Sequence, residues 1–131
     1  MILSVAAIND ADELVSFSNW GTNTVDIAAP GVRVFSTVPD NRYKDTVIGL
    51  PQLPNIPGLP DFSKFPRLTW DGTSMAAPHV AGAAALYLSK NPDAPFSEVK
   101  DALIRSAAPI SAMTGKSVSE GKLDVRALMD L

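Results

Sequence analysis

The sequence contains no cysteine and a single histidine, His79. The first absence excludes a disulfide framework, a thiolate nucleophile and Cys-ligated zinc or iron–sulfur centres. The second excludes a multi-histidine metal site built from this chain alone. Basic residues are scarce: 11 Lys and Arg stand against 14 Asp and Glu, a formal net charge of −3. No cationic surplus exists for a phosphate backbone, so nucleic acid is not an expected partner. Long apolar runs are missing too. The stretch Ala81 to Leu88 contains Gly82 and Tyr87 and falls short of the roughly 18–20 residues that span a bilayer, so no membrane span is expected. The apolar segment Ile2 to Ile8 has no Lys or Arg before it and runs directly into Asn9, Asp10 and Asp12, unlike a signal peptide.

What remains is globular in composition. The 131 residues are 46% hydrophobic and 19% charged, which fits one domain or a piece of one. Ile2 to Ile8 reads as a strand buried on both faces. A chain that opens on such a strand is expected to need further structure upstream. Val25 to Ala28 and Val32 to Val38 are further strand candidates, separated by the breaker Ala29-Pro30-Gly31. In the loop between the first two strands, Phe17 and Trp20 are expected to serve as anchors. Residues 39 to 69 change character: Pro51, Pro54, Pro57 and Pro60 recur every third position. Each fixes φ and lacks an amide donor, so neither helix nor central strand is expected there. The period matches a polyproline II turn, read as a stiff surface loop or, alternatively, as a ligand for a proline-reading interaction module.

Thr73 to Ser89 is the strongest helix, apolar on nearly every face and therefore expected to be buried. Pro78 falls early in it, where a missing amide costs least. A second helix is expected over Ser97 to Ala107, capped by Ser97, with Val99, Ala102 and Leu103 inward and Glu98, Lys100, Asp101 and Arg105 in water. A short third one starts at Asp124. Apolar strands followed by helices indicate an α/β class.

Serine becomes a nucleophile only when a base takes its proton and donors hold the resulting oxyanion. The first turn of a helix behind a glycine supplies the donors, through free amides and the positive end of the dipole. Gly72-Thr73-Ser74-Met75 has that arrangement, with Gly72 giving substrate access to the backbone. His79, five residues on, is rotated about 140° round the helix and about 7.5 Å along it, so it points away from Ser74 and reads as a structural histidine. An α/β-hydrolase elbow, G-x-S-x-G, is not met because position 76 is alanine, and no histidine follows His79. The carboxylate cluster Asp10, Asp12 and Glu13 is a weak cation candidate whose plainer reading is a hydrophilic turn. Trp70 and Asp71, just before the glycine, read as loop packing or as substrate contacts.

The eleven residues Gly72 to Gly82, GTSMAAPHVAG, closely resemble the serine signature of the subtilisin-like serine proteases, the subtilases. Phe17-Ser18-Asn19-Trp20-Gly21, Asp26 to Gly31, Phe35-Ser36-Thr37 and Gly121 to Val125 resemble further family segments, in the family's order. The resemblance implies a three-layer αβα subtilisin-like fold, of which residues 1–131 would be the C-terminal part, with parallel strands, a buried central helix and a Pro-rich insertion at about 40–69. It implies a serine endopeptidase in which Ser74 is the catalytic nucleophile and its own amide an oxyanion donor. Gly72, Thr73 and Met75 would lie along bound substrate, and oxidation of Met75 would harm activity. The family's order of Asp, His, Ser places both partners of the serine upstream of Met1. The chain alone is thus expected to be inactive, its partners being a peptide or protein substrate and the missing N-terminal part of the catalytic domain. A pseudo-protease that keeps only the fold is the alternative. No cofactor is expected; calcium sites occur in the family, and the resemblance would give Asp26 a part in a weak cation site, but no metal site is supported by this segment. A secreted or extracellular setting is implied by the family alone.

Overall fold

The computed structural model describes residues 2–34, 36–38, 42–44 and 70–131. The proline ladder at positions 51 to 60, and most of the expected insertion, lie outside the described residues. The central sheet has the order β1-β2-β6-β5. β1 (Val5–Ile8) pairs in parallel with β2 (Ile27–Pro30), Val5 opposite Ile27 and Ile8 opposite Pro30. β2 pairs in parallel with β6 (Gly121–Lys122), which pairs antiparallel with β5 (Ala108–Pro109). A separate ribbon joins β3 (Ser36–Val38) to β4 (Arg42–Lys44). The third strand candidate is therefore broken up: Val32 and Arg33 bend, Val34 bridges Trp70, and the strand proper starts at Ser36.

The expected break at Ala29-Pro30-Gly31 falls later than the residue types suggest. Ala29 and Pro30 belong to β2, and the chain leaves the sheet at Gly31. Proline is tolerated because it is the last strand residue, and the next amide, Gly31 N–H, donates to the Ile8 carbonyl at 3.0 Å.

Alternating side chains of β1 feed two cores. Ala7, with Ile27 and Ala29 of β2, packs under α1 (Thr73–Lys90), α2 (Phe96–Arg105) and α3 (Val125–Met129), meeting Ala76, Val80, Ala83, Val99, Leu103 and Leu128. Ala6, Ile8 and Ala28 face the other way, onto Val25 and Met113, with Leu14 and Ile110 at the edge. Of the three layers expected, the described residues supply the sheet and one helical layer.

Two helix expectations need correction. α1 is not buried all round: only Ala76, Val80, Ala83 and Tyr87 are, while Ala77, Ala81, Ala85 and Leu88 face solvent. Sheet, α2 and α3 cover one flank, and nothing among the described residues covers the opposite one. α2 is preceded by Pro95 in the cap position, without a side-chain cap bond, and Ser97 lies inside the helix; proline's fixed φ pre-sets the entry. Asp124 does cap α3, accepting from the Ala127 amide at 2.9 Å.

Lys100 is not on the wet face of α2. Its ammonium reaches both Asp26 carboxylate oxygens at 2.9 Å and the Ile2 carbonyl at 2.8 Å, and Asp26 also accepts from the Ser4 amide at 2.8 Å. This largely buried pair ties α2 to the start of β1 and occupies the carboxylate that a cation would need. The other acidic cluster is likewise taken up separately: Asp10 pairs with Arg33, Asp12 with Lys122, each at 2.6 Å, and Glu13 accepts from Asn9. Phe17 and Trp20 are not anchors, being 50% and 60% exposed. Ser18 holds that loop instead, its buried hydroxyl accepting from the Ala7 amide at 2.8 Å and donating to the Asn19 carbonyl.

Burial pushes the Tyr87 phenol up from its ordinary value, and the Glu98 carboxylate, which accepts its hydrogen bond at 3.2 Å, adds to the rise. A phenol whose folded pKa lies above its unfolded value near 10.0 contributes stability that is complete below the unfolded value and fades as pH climbs through the folded one. Equilibrium urea unfolding of wild type and Tyr87→Phe between pH 8 and pH 11.5 should show wild type losing more stability on the alkaline side than the variant.

Candidate active site

The helix that carries Ser74 is aimed by the segment leaving β2. Gly31 accepts from the Gly72 amide at 2.7 Å, Val34 N–H donates to the Trp70 carbonyl at 3.3 Å, and the Arg33 amide donates to an Asp71 carboxylate oxygen at 2.8 Å. Three consecutive residues before α1 are thereby stitched to three positions after β2. Trp70 is half-buried, its carbonyl forming part of this bridge, and Asp71 is exposed with its carboxylate accepting from the Arg33 amide. Arg33 takes a positive φ of 51° to present its amide. Sequence reasoning missed Arg33, since nothing in its type signals that backbone geometry.

Gly72 occupies the cap position of α1 with an extended backbone, φ 163°. Its carbonyl accepts from the amides of Met75 at 3.0 Å and Ala76 at 3.2 Å. The amides of Thr73 and Ser74 thus lie at the helix mouth without a helical acceptor, where the dipole is positive. Ser74 is exposed on this first turn, Thr73 and Met75 are half-buried beside it, and Ala76 is fully buried beneath. Fixed donors and a hydroxyl on one solvent-facing turn suit a group on which negative charge develops.

His79 does not complete a catalytic pair. Its ring Nδ1 lies 2.9 Å from the Met75 carbonyl one turn back, and a carbonyl only accepts, so Nδ1–H donates there. The ring is held along the helix flank, in accord with the structural reading, although it is exposed rather than packed. Pro78 is the sixth residue of α1, deeper than a first-turn proline. It removes the amide that would bond the Ser74 carbonyl in a regular helix, so the turn bearing the serine is less tied to the helix behind it. Among the described residues, no three His, Cys, Asp or Glu side chains converge as a metal-binding group, and no helix is long and apolar enough to cross a membrane.

Close approach, rather than backbone freedom, explains the glycine at position 31. A Cβ there would lie 2.5 Å from the Ala7 Cβ and 2.7 Å from the Gly72 carbonyl oxygen, pressing apart the contact that aims α1. At Gly72 the nearest atom to an added Cβ is the Met75 Sδ at 3.4 Å. In denaturant titrations Gly31→Ala should therefore cost about 1–3 kcal/mol, as overpacking does, whereas Gly72→Ala should cost clearly less. Equal losses would remove the argument from close approach.

Comparison with known proteins identifies the family. A sequence model described as the subtilase family matches residues 1–126. The chain is 37% identical to subtilisin of Bacillus pumilus over 105 residues, which cover 80% of this chain and 29% of that protein. It is 35% identical to a thermophilic serine proteinase of Bacillus sp. (strain AK1) over 94% of this chain and 24% of that protein. It is 37% identical to alkaline serine exoprotease A of Vibrio alginolyticus over 92% of this chain and 18% of that protein. A solved structure from a study of subtilase cytotoxin SubAB assembly superimposes on 98% of this chain and 35% of its own length, with a TM-score of 0.67 at 24% identity, a likeness of fold. The chain thus spans less than a third of each of these curated relatives. Because the family match runs from the first strand through α1 into the closing helix, this chain belongs to the subtilase family of serine proteases.

Proposed function

We propose that Ser74 is the acyl-forming nucleophile of a serine endopeptidase whose proton acceptor is supplied by a polypeptide segment outside these 131 residues. One observation carries this reading: Ser74 is exposed at the positive end of α1, while the only histidine of the chain donates its Nδ1–H to the Met75 carbonyl and lies round the helix from the hydroxyl.

The reaction follows from the parts. The Ser74 Oγ forms a bond to the scissile carbonyl carbon as its proton passes to an imidazole of the complementing segment, which a carboxylate orients. The carbonyl electron pair moves onto oxygen, where the Ser74 amide stands as a donor. The pair returns, the C–N bond breaks, and the amine leaves with the proton from the imidazole. Water then cleaves the ester by the same route. Thr73, Met75 and the extended backbone at Gly72 flank the bound peptide. The sequence of steps draws on no cofactor, and the carboxylate of Asp26 is engaged by Lys100. The partners in this reading are a peptide or protein substrate and the N-terminal remainder of the catalytic domain. The extracellular setting expected of the family goes with them.

In subtilisin, loss of the serine or of the histidine alone costs about 10⁶ in kcat, so the chain without its complement should be inert. A fluorophosphonate probe should leave the purified chain unlabelled. It should label Ser74, and not a Ser74→Ala variant, when the chain is co-expressed with the portion of B. pumilus subtilisin that remains after the similar segment is deleted. Stoichiometric labelling of the chain by itself would sink the external base.

A further inference from the structure

Among the described residues, Asp12, Arg33 and Glu120 have a positive φ without being glycine. Arginine is the least expected there, because the left-handed region favours glycine, or a short polar side chain that bonds locally. The Arg33 guanidinium instead reaches away, to an Asp10 carboxylate oxygen at 2.6 Å in the loop after β1. That loop is itself fixed. The Asn9 side-chain oxygen accepts from the Ala11 and Glu13 amides at 3.0 and 2.9 Å, and Asp12 pairs with Lys122 of β6. The backbone of Arg33 serves the helix entrance. Its amide donates to the carboxylate of Asp71, which stands three residues before Ser74. The residue also lies between Gly31, which accepts from the Gly72 amide, and Val34, whose amide donates to the Trp70 carbonyl. Rotation about its N–Cα bond changes the angle between its own amide and that of Val34, so one φ serves both links.

We propose that Arg33 is a positioning residue for the turn that carries Ser74: its ion pair with Asp10 holds its backbone left-handed, and that backbone aims Asp71 and the mouth of α1. An exposed ion pair contributes little to stability as a rule, but the bias against a left-handed arginine is similarly small. One pair can thus decide the conformation of one residue without carrying the fold. The other two positive-φ residues bond elsewhere, Asp12 to Lys122 and Glu120 to the Gly115 amide, and neither touches the helix entrance. The consequence is functional. First-turn amides and a hydroxyl act on a developing charge to the extent that their direction is fixed before the reaction. The inference rests on the reading of Ser74 as the nucleophile, and names the side chain through which the fold sets its approach.

Glycine separates the two parts of this arrangement, because it keeps the amide and takes a positive φ without a latch. Fluorophosphonate labelling of the chain, co-expressed with the same remainder of B. pumilus subtilisin, gives a rate at saturating probe and a half-saturating concentration. Arg33→Ala and Asp10→Ala should each lower that rate at least about threefold, in proportion to the molecules whose entrance stays aimed, with the half-saturating concentration little changed. Arg33→Gly should recover most of the wild-type rate, and adding Asp10→Ala to it should change nothing more. Arg105→Ala, which removes an exposed guanidinium from α2, should label as wild type. Rates are compared where circular dichroism shows each variant folded, so a loss of stability alone does not move them; if Arg33→Ala does not fold, Asp10→Ala decides. In the chain by itself, hydrogen exchange of the Gly72 amide should quicken in Arg33→Ala and Asp10→Ala and not in Arg33→Gly. The proposal is overturned if the alanine variants label as fast as wild type, if Arg33→Gly is as slow as Arg33→Ala, or if the exchange order is absent. A complex in which wild type itself stays unlabelled removes the nucleophile, while the exchange order, if found, leaves the aiming of the turn standing. Wild-type labelling in every variant does the reverse.

Discussion

The seating of α1 on β1 and β2 through small side chains is the contact on which the rest depends. Ala76, Val80 and Ala83 on the helix meet Ala7, Ile27 and Ala29 on the strands. Alanine against alanine brings backbone close to backbone, so the helix axis has little room to shift, and close packing of this kind resists even one added methylene. Because Ser74 stands two residues before Ala76 in the same turn, the position of the hydroxyl is set by this contact and not by a loop.

Entry into that helix is governed by a second close approach, between Gly31 and Gly72. The amide of one glycine reaches the carbonyl of the other at 2.7 Å, and the two flanking links, Arg33 to Asp71 and Val34 to Trp70, hold the strand exit and the helix entrance in register. A chain segment built this way delivers the first-turn amides at a fixed angle. Preorganised donors of that sort stabilise developing charge without reorganising during the reaction, which is where most of their catalytic value lies.

The same helix explains why the molecule is asymmetric. Its buried flank is complete, with α2 and α3 sharing the core, and the Lys100–Asp26 pair locks α2 to the start of β1. Its other flank, with Ala77, Ala81, Ala85 and Leu88, is exposed, no described residue covering it.

Residue types alone determined the α/β class, the existence of β1, β2 and all three helices, the start of α3 at Asp124 and the eleven-residue signature around Ser74, because periodicity and a contiguous motif are local properties of the chain. The turn of His79 away from Ser74 was legible too, since it follows from helix geometry over five residues. Only the tertiary structure decided that Pro30 ends a strand, that Ser18 and not Phe17 or Trp20 holds its loop, that Lys100 is bound to Asp26, and that α1 is covered on one flank. Each of those depends on a partner far along the chain: the Ala7 amide for Ser18, the Ile8 carbonyl for the residue after Pro30, Asp26 and the Ile2 carbonyl for Lys100, and, for α1, the number of elements available to surround it. An apolar helix announces that it wants to be buried; how much of it is buried depends on how much protein is there to do so.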